Sequence, residues 1–323
     1  MSKTINWGII GLGHIAHKFA KDLERVPNAV LHAVASRSQE KADKFASQFS
    51  AEVAYSNYEA LAEDINVDAI YIATPHSLHK KNAIMCLSHK KAVLCEKPFA
   101  MNLEEVDEMI ATAKSNDTLL MEALWTYFLP HYQYVLDEIK KETFGKVLKL
   151  EADFGFTAEF NESSRLFKKS LGGGSLLDIG IYPIFSALSI LGLPVKFDAE
   201  ATFFPNGADS SVSMTFDYAN QVEAYLKCTL LENTKTEAIV HCEKGIIKIN
   251  SMFHQPTTVT LITDKEEKTM DFGYETIGYN FETHHFNELL RNNKKQSDIM
   301  TFEFSRNLIH LLDTIRNRIG LEY

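Results

Sequence analysis

The sequence predicts an α/β fold, a doubly wound parallel sheet followed by an α+β domain built on antiparallel strands. Three observations carry that expectation. The first 120 or so residues alternate short apolar runs with amphipathic stretches. The chain after about residue 195 runs strand after strand with short turns between them. A length of 323 residues suits about two domains at roughly 150 residues each.

The strand-like runs of the first part are residues 5–10, 29–35, 69–73, 92–95 and 119–122. Between them, residues 15–25, 40–49, 78–88 and 103–114 place apolar side chains at three- and four-residue spacing, as helices do. Parallel strands need crossover helices, so this alternation reads as a doubly wound sheet. The texture changes near Leu150. A glycine triplet, Gly172-Gly173-Gly174, leads into an apolar helix over 175–191. Strands follow over 199–204, 212–218, 222–229, 237–242, 245–249 and 257–262, punctuated by turns such as Pro205-Asn206-Gly207. Helices over 281–291 and 302–319 finish the chain. No repeat or flexible linker interrupts it. The expected division is 1–122 for the first domain and 123–323 for the second, with the C-terminal helix free to return to the first.

Composition excludes several classes of function. There are 33 Lys plus Arg against 43 Asp plus Glu, a formal charge of −10, and 45% of residues are apolar, so the chain is neither disordered nor attracted to phosphate backbones or anionic lipid. Nucleic acid and membrane partners are not expected. The longest uncharged apolar stretch, 179–195, contains Pro183, Pro194, Gly180 and Gly192, and reads as a buried helix. The N-terminal apolar run is too short for a signal peptide, which gives a cytoplasmic expectation. Cys86, Cys95, Cys228 and Cys242 show no metal or disulfide spacing and read as core thiols.

Chemistry begins at the end of the first strand. Gly11-Leu12-Gly13-His14-Ile15-Ala16 places G-x-G-x-x-A between strand and helix. Gly11 permits the tight turn, Gly13 lets the backbone approach a pyrophosphate, and Ala16 allows close helix packing, while the helix start, His14 and Ile15, offers unpaired N–H groups to phosphates. In the context of a βαβ unit this is a dinucleotide fingerprint of the Rossmann type. The second strand ends Ser36-Arg37, with no acid to hold a ribose 2′-hydroxyl. Arg37 and Ser36, with Lys41 nearby, suit a 2′-phosphate, so the expected cofactor is NADP, with NAD as the alternative. The next strand ends Thr74-Pro75-His76-Ser77-Leu78-His79 at the ligand edge of the sheet. His76 and His79 lack a third ligand, so they read as cleft or cap residues and no metal is expected.

Glu96-Lys97-Pro98 closes the following strand at the same edge. A lysine held there out of helical geometry could polarise a carbonyl and exchange a proton. Asp178 and Tyr182, at i and i+4 in the apolar helix, share one face. A carboxylate in such a setting needs a partner or a catalytic task. Tyr182 would need a cation such as Lys97 to act near neutrality, since an ordinary phenol has a pKa of about 10. A helix-capping Asp and a core Tyr remain the other reading.

Taken together, G-L-G-H-I-A, E-K-P and D-I-G-I-Y resemble the Gfo/Idh/MocA oxidoreductases over essentially the whole chain. M-E-A-L-W-T around Trp125 and G-G-G-S-L-L-D-I-G-I-Y are most similar to the dimeric dihydrodiol dehydrogenase and NADP-dependent D-xylose dehydrogenase branch. The resemblance implies a Rossmann domain followed by a domain with a large open sheet, often a dimer face, and it places the catalytic lysine at Lys97. Many members carry Asp and His four residues apart where this chain has Asp178 and Tyr182, which weakens an inositol dehydrogenase assignment. Aromatic residues line the branch's substrate pocket, which implies Trp125 and Phe154, with Tyr279 and Phe281 further candidates by position.

The expected activity is hydride transfer between nicotinamide and a secondary alcohol or hemiacetal carbon of a sugar or cyclic diol. Lys97 and Tyr182 would share the proton, Asp178 would orient the substrate or Lys97, and Glu96, Thr74, Pro75, His76 and His79 would line the cofactor. Reduction of dicarbonyls or anhydro-sugars by NADPH, and a non-catalytic sensor of cofactor or sugar, are the alternatives. A homodimer or higher homo-oligomer through the C-terminal sheet is expected.

Overall fold

The computed structural model describes residues 3–323. The chain divides into two compact units, Met1–Phe128 with Glu275–Ile309, and Leu129–Tyr274 with His310–Tyr323.

The first unit begins with six strands and five helices in alternation: β1 (Ile5–Ile10), α1 (His14–Leu23), β2 (Ala29–Ala35), α2 (Gln39–Phe49), β3 (Val53–Tyr55), α3 (Tyr58–Glu63), β4 (Ala69–Ile72), α4 (His79–Ser88), β5 (Ala92–Glu96), α5 (Leu103–Ser115) and β6 (Leu120–Ala123). All strand pairs are parallel, in the order β3-β2-β1-β4-β5-β6. β4 and β5 are buried along their whole length, which is why they read as unbroken apolar runs. Polar caps start the helices: Ser38 accepts from the N–H of Lys41, Asn57 from Ala60 and Asn102 from Glu105. The sheet reverses direction of winding between β1 and β4. Loops at the carboxyl ends there form the crevice where open α/β sheets take ligands.

The second unit holds α6 (Pro130–Lys140), β7 (Val147–Gly155), α7 (Ile181–Leu191), β8 (Lys196–Phe203), β9 (Asp209–Asp217), β10 (Glu223–Thr229), β11 (Ala238–Cys242), β12 (Gly245–Ile249), β13 (Val259–Ile262) and β14 (Glu267–Met270). They make one eight-stranded sheet, β14-β13-β12-β11-β7-β10-β9-β8. Every pairing is antiparallel except β7 with β10. β10 alternates buried Ala224, Leu226 and Cys228 with exposed Glu223 and Tyr225, so one face is core and the other is open. A Cβ on Gly180 would come 2.7 Å from the Cys228 Sγ, so the helix lies directly on β10.

The sequence expectations missed three strands. β3 has only three residues. In β7, Lys149, Glu151 and Asp153 interrupt the apolar side chains, and β14 is a charged edge strand. The helical run Lys169–Leu191 is long and apolar enough to cross a membrane by composition, but 78% of its most apolar window is buried.

Two helices complete the chain, α8 (Tyr279–Arg291) and α9 (Phe302–Ile319). The division is therefore not a single cut near residue 122, because α8 and the first half of α9 belong to the first unit. Specific bonds explain this. Trp7 Nε1 donates to Asn287 Oδ1 at 3.1 Å, Arg306 forks onto Asp107 at 2.6 and 3.2 Å, and the Tyr127 and Phe304 rings lie 5.0 Å apart.

Candidate active site

The glycine turn after β1 fits a dinucleotide. Gly11 has a φ of +89°, and a Cβ there would lie 2.7 Å from the Ala73 carbonyl, so only glycine lets the turn pass this close to the end of β4. A Cβ on Gly13, in contrast, would meet nothing within 4 Å. No side chain caps α1, whose first N–H groups, at His14 and Ile15, stay available for a pyrophosphate.

The loops around this turn come from neighbouring strands. Arg37 is exposed after β2, beside Tyr58, and the Ser36 hydroxyl accepts the Ser38 N–H at 3.3 Å. Thr74 is buried after β4, with its hydroxyl accepting from Asn82 Nδ2 at 3.1 Å; Pro75 follows it into the loop. His76 and His79 are both buried, with ring centroids 5.8 Å apart. His79 Nδ1 lies 2.9 Å from the Pro98 carbonyl and Nε2 lies 2.8 Å from the Thr74 carbonyl. The ring therefore lies between two loops, and in its neutral form it donates to one of these two carbonyls. Burial holds the His79 ring below the ordinary histidine pKa, against the opposing pull of those carbonyls.

Lys97 follows β5 and precedes a cis peptide bond to Pro98. Glu96 fixes this turn from below: its Oε2 accepts the Lys97 N–H at 3.1 Å, and its Oε1 accepts the Tyr71 hydroxyl. The carboxylate of Glu96 is thus turned inward, 8% exposed, and acts as a support for Lys97. Glu122 on β6 accepts the Phe99 N–H at 3.0 Å, and burial raises its carboxyl to about 7. Glu282 on α8 is fully buried, with neither carboxyl oxygen hydrogen-bonded among the described residues, and burial beside Glu96 and Asp22 pushes it well above the carboxylate range. Trp125 stacks on Tyr279 with centroids 4.5 Å apart and planes 13° apart, and Phe281, half-buried, lies two residues beyond Tyr279 in α8.

The second unit gathers a different set. Asp178 lies in a π-helical turn, Leu176–Gly180, that runs straight into α7. Pro183 has no N–H to return to Ile179, and the backbone takes the wider turn there. Positions i and i+4 remain nearly above one another in such a turn, so Asp178 and Tyr182 keep a common side. The Tyr182 ring is 5.7 Å from Phe154 and 4.8 Å from His254, and Phe154 stacks on His254 at 4.3 Å. Arg165 Nη2 reaches Asp178 Oδ1 at 3.2 Å and Oδ2 at 3.4 Å. The helix start is held by Asp209, whose Oδ2 accepts from the Ser175 hydroxyl at 2.7 Å and the Leu176 N–H at 2.6 Å.

Residues 5–124 match the model of the oxidoreductase family with an NAD-binding Rossmann fold, and residues 132–248 match the C-terminal domain of the Gfo/Idh/MocA proteins. Over 330 residues the chain is 34% identical to the trans-1,2-dihydrobenzene-1,2-diol dehydrogenase of Xenopus tropicalis, covering 98% of each protein. The chain belongs to the Gfo/Idh/MocA family of oxidoreductases. The human protein of the same name is 31% identical over 330 residues, 99% of this chain and 98% of its own. Among solved structures, the Caulobacter crescentus aldose-aldose oxidoreductase superposes with a TM-score of 0.90 at 20% identity, covering 98% of both chains. A 3-ketoreductase from Actinomadura kijaniata, crystallised with NADP, superposes with a TM-score of 0.89 at 24% identity and the same coverage. These two share the fold.

Within this Gfo/Idh/MocA oxidoreductase, sequence reading missed Arg165, His254, Asp209, Glu122 and Glu282. Arg165 and His254 stand in irregular segments with no periodicity to single them out. The burial of Glu122 and Glu282 depends on neighbours distant in sequence. The M-E-A motif around Glu122 and the acid-free surroundings of Asp178 were the available signals.

Proposed function

We propose that this oxidoreductase is an NADP-dependent dehydrogenase of cyclic trans-diols or sugars, moving hydride between nicotinamide C4 and a secondary alcohol or hemiacetal carbon. The aromatic cluster of Tyr182, Phe154 and His254 beside the Asp178 carboxylate carries the reading. It offers apolar ring faces for the body of a cyclic substrate and a charged acceptor for its hydroxyl groups. The names of the full-length relatives support the diol class.

The nicotinamide supplies the hydride acceptor, and the chain's own residues do the rest. Gly11, Gly13 and the start of α1 take the pyrophosphate. Arg37 and Ser36 take the 2′-phosphate through a charge-assisted pair and a hydroxyl donor. Thr74, Pro75, His76 and His79 shape the wall beyond it. Tyr182 accepts the hydroxyl proton, Lys97 is the cation that makes its phenolate accessible near neutrality, and Asp178 orients the substrate. Trp125, Phe154 and Phe281 complete the substrate-binding set. In the reverse direction the same residues reduce a carbonyl.

The open face of β7, β8, β9 and β10 supports a homodimer. It bears the exposed Tyr225 and a shallow cavity of about 420 Å³ lined by Glu151, Asp198, Thr215 and Lys227. Sedimentation equilibrium should give twice the chain mass, and a monomer would remove this part of the reading. The proposed compartment is the cytoplasm.

The function is tested by following NADP+ and NAD+ reduction across cyclic trans-diols, aldopentoses, aldohexoses and inositols, with NADPH-dependent dicarbonyl reduction in parallel. Selective turnover of a diol or aldose with NADP+ is expected. Turnover confined to dicarbonyls would replace the reading with a reductase, and tight NADPH binding without turnover would point to a sensor.

A further inference from the structure

Asp178 was expected to need a partner, and the partner is Arg165, thirteen residues upstream in the irregular segment before the helix. That segment is tied together by hydrogen bonds. Phe167 and Lys168 N–H groups both return to the Ser164 carbonyl at 3.1 Å, the Gly174 N–H reaches the Leu166 carbonyl at 2.8 Å, and Asn206 Nδ2 donates to the Phe167 carbonyl at 2.7 Å. Gly173 lies against this turn so closely that a Cβ would stand 2.7 Å from the Arg165 carbonyl and 2.6 Å from the Lys168 nitrogen. The glycine triplet therefore has a definite task. It lets the Arg165 turn dock on the start of the helix that carries Asp178.

The pairing uses one guanidinium nitrogen, Nη2, which approaches both carboxylate oxygens at 3.2 and 3.4 Å. Asp178 is 15% exposed and Arg165 is 45% exposed. A guanidinium presents five N–H donors in a fixed planar fork, so Nε and Nη1 lie outside this contact on a half-exposed side chain. A carboxylate held by a cation keeps its charge and accepts strongly from hydroxyl groups. The two side chains together form an acceptor and a donor side by side.

We propose that Arg165 and Asp178 act as a two-point reader for vicinal oxygens on the substrate, Asp178 accepting from one hydroxyl while Arg165 donates to the oxygen on the neighbouring carbon. Arg165 is thus a specificity-determining residue, and a lone secondary alcohol satisfies half of the reader. This assignment rests on the reading of Asp178 as the residue that orients the substrate. The vicinal pair is the chemistry shared by a trans-diol and a cyclic sugar, and absent from a simple cyclic alcohol.

The test compares trans-1,2-cyclohexanediol with cyclohexanol on the NADP+-loaded full chain, in the wild type and in Arg165→Met, Arg165→Lys, Arg165→Gln and Asp178→Asn. Circular dichroism and NADPH fluorescence titration verify each variant's fold and cofactor binding. The expected result for Arg165→Met is a loss of about 30-fold in kcat/KM for the diol, mostly in KM, with cyclohexanol changed less than about threefold, as befits one charged hydrogen bond. Arg165→Lys should recover part of the diol preference and Arg165→Gln less. Should Arg165→Met fail to fold, the graded order of Lys above Gln on the diol alone decides the matter. Equal losses on diol and mono-alcohol, or no loss on either, overturn the two-point reader while leaving Asp178 in place. Full diol activity in Asp178→Asn, in contrast, removes the orienting role itself, and the reader falls with it.

Discussion

Asp22 Oδ2 and the backbone N–H of Gly278 meet at 2.7 Å across 256 residues of chain. The same carboxylate also takes the N–H groups of Ile277 at 3.1 Å and Tyr279 at 2.8 Å, so a side chain of α1 caps α8. Tyr279 in turn stacks on Trp125. One buried acid therefore ties the start of α8 to α1 within the first unit.

Removing that cap should be costly. Asp22→Ala leaves three N–H groups unpaired, two of them buried, and a loss of about 2–4 kcal/mol is expected. Urea unfolding monitored by circular dichroism measures it. A change below about 0.5 kcal/mol would mean that the contact contributes nothing net.

Glu122 makes stability depend on pH in an unusual direction. Its folded carboxyl titrates at about 7, above its ordinary value of 4.5, chiefly because of burial. The folded state binds the extra proton, so the stability it confers is full below pH 4.5 and is lost as pH rises through 7. Glu122→Gln keeps an acceptor for the Phe99 N–H and carries no titration. The variant should gain on the wild type between pH 5 and 8, by up to about 3 kcal/mol at roughly 1.4 kcal/mol per unit. His131, held down to about 4 by burial, has the opposite sign: its contribution is present above 6.5 and lost as pH falls through 4. It is common to both proteins and cancels in the difference. A Tm difference that stays flat with pH would show that Glu122 is ionised throughout.

Cofactor choice should turn on Arg37. Arg37→Ala is expected to weaken NADPH binding by about 30-fold, the worth of one charge-assisted pair, while leaving NADH within threefold. Fluorescence titration of both cofactors checks this, and equal losses for the two would remove Arg37 from 2′-phosphate recognition.

The proton-transfer residues are tested by turnover. Lys97→Met should lower kcat by about 1,000-fold with NADPH affinity preserved, and Tyr182→Phe by about 100-fold or more. Stopped-flow measurement of the single-turnover hydride step separates chemistry from product release. Full activity in both variants would sink the assignment.

Much of the fold was legible in the chain. The Gly11 turn, the apolar runs of β1, β4 and β5 and the spacing of α9 are local patterns, set by steric limits on φ and by the periodicity of helix and strand. Lys97, Asp178 and Tyr182 could be singled out because each sits beside a motif with its own physical signature. β7 was missed although Leu150, Ala152 and Phe154 alternate with Lys149, Glu151 and Asp153 in the pattern of a half-buried strand.

What the tertiary structure alone decided is who meets whom. That α8 returns to the first unit follows from Asp22 and Asn287, bonds between residues more than 250 apart, for which no local pattern exists. The pairing of Arg165 with Asp178, the stacking of His254 on Phe154 and the burial that raises the Glu122 and Glu282 carboxyls above the usual carboxylate range have the same origin. The sequence by itself determined the parallel sheet, its glycine turn and the residue types proposed to carry the chemistry. Charge state and partnership belong to the folded chain, because desolvation and hydrogen bonding depend on the three-dimensional surroundings of a group and not on its neighbours along the backbone.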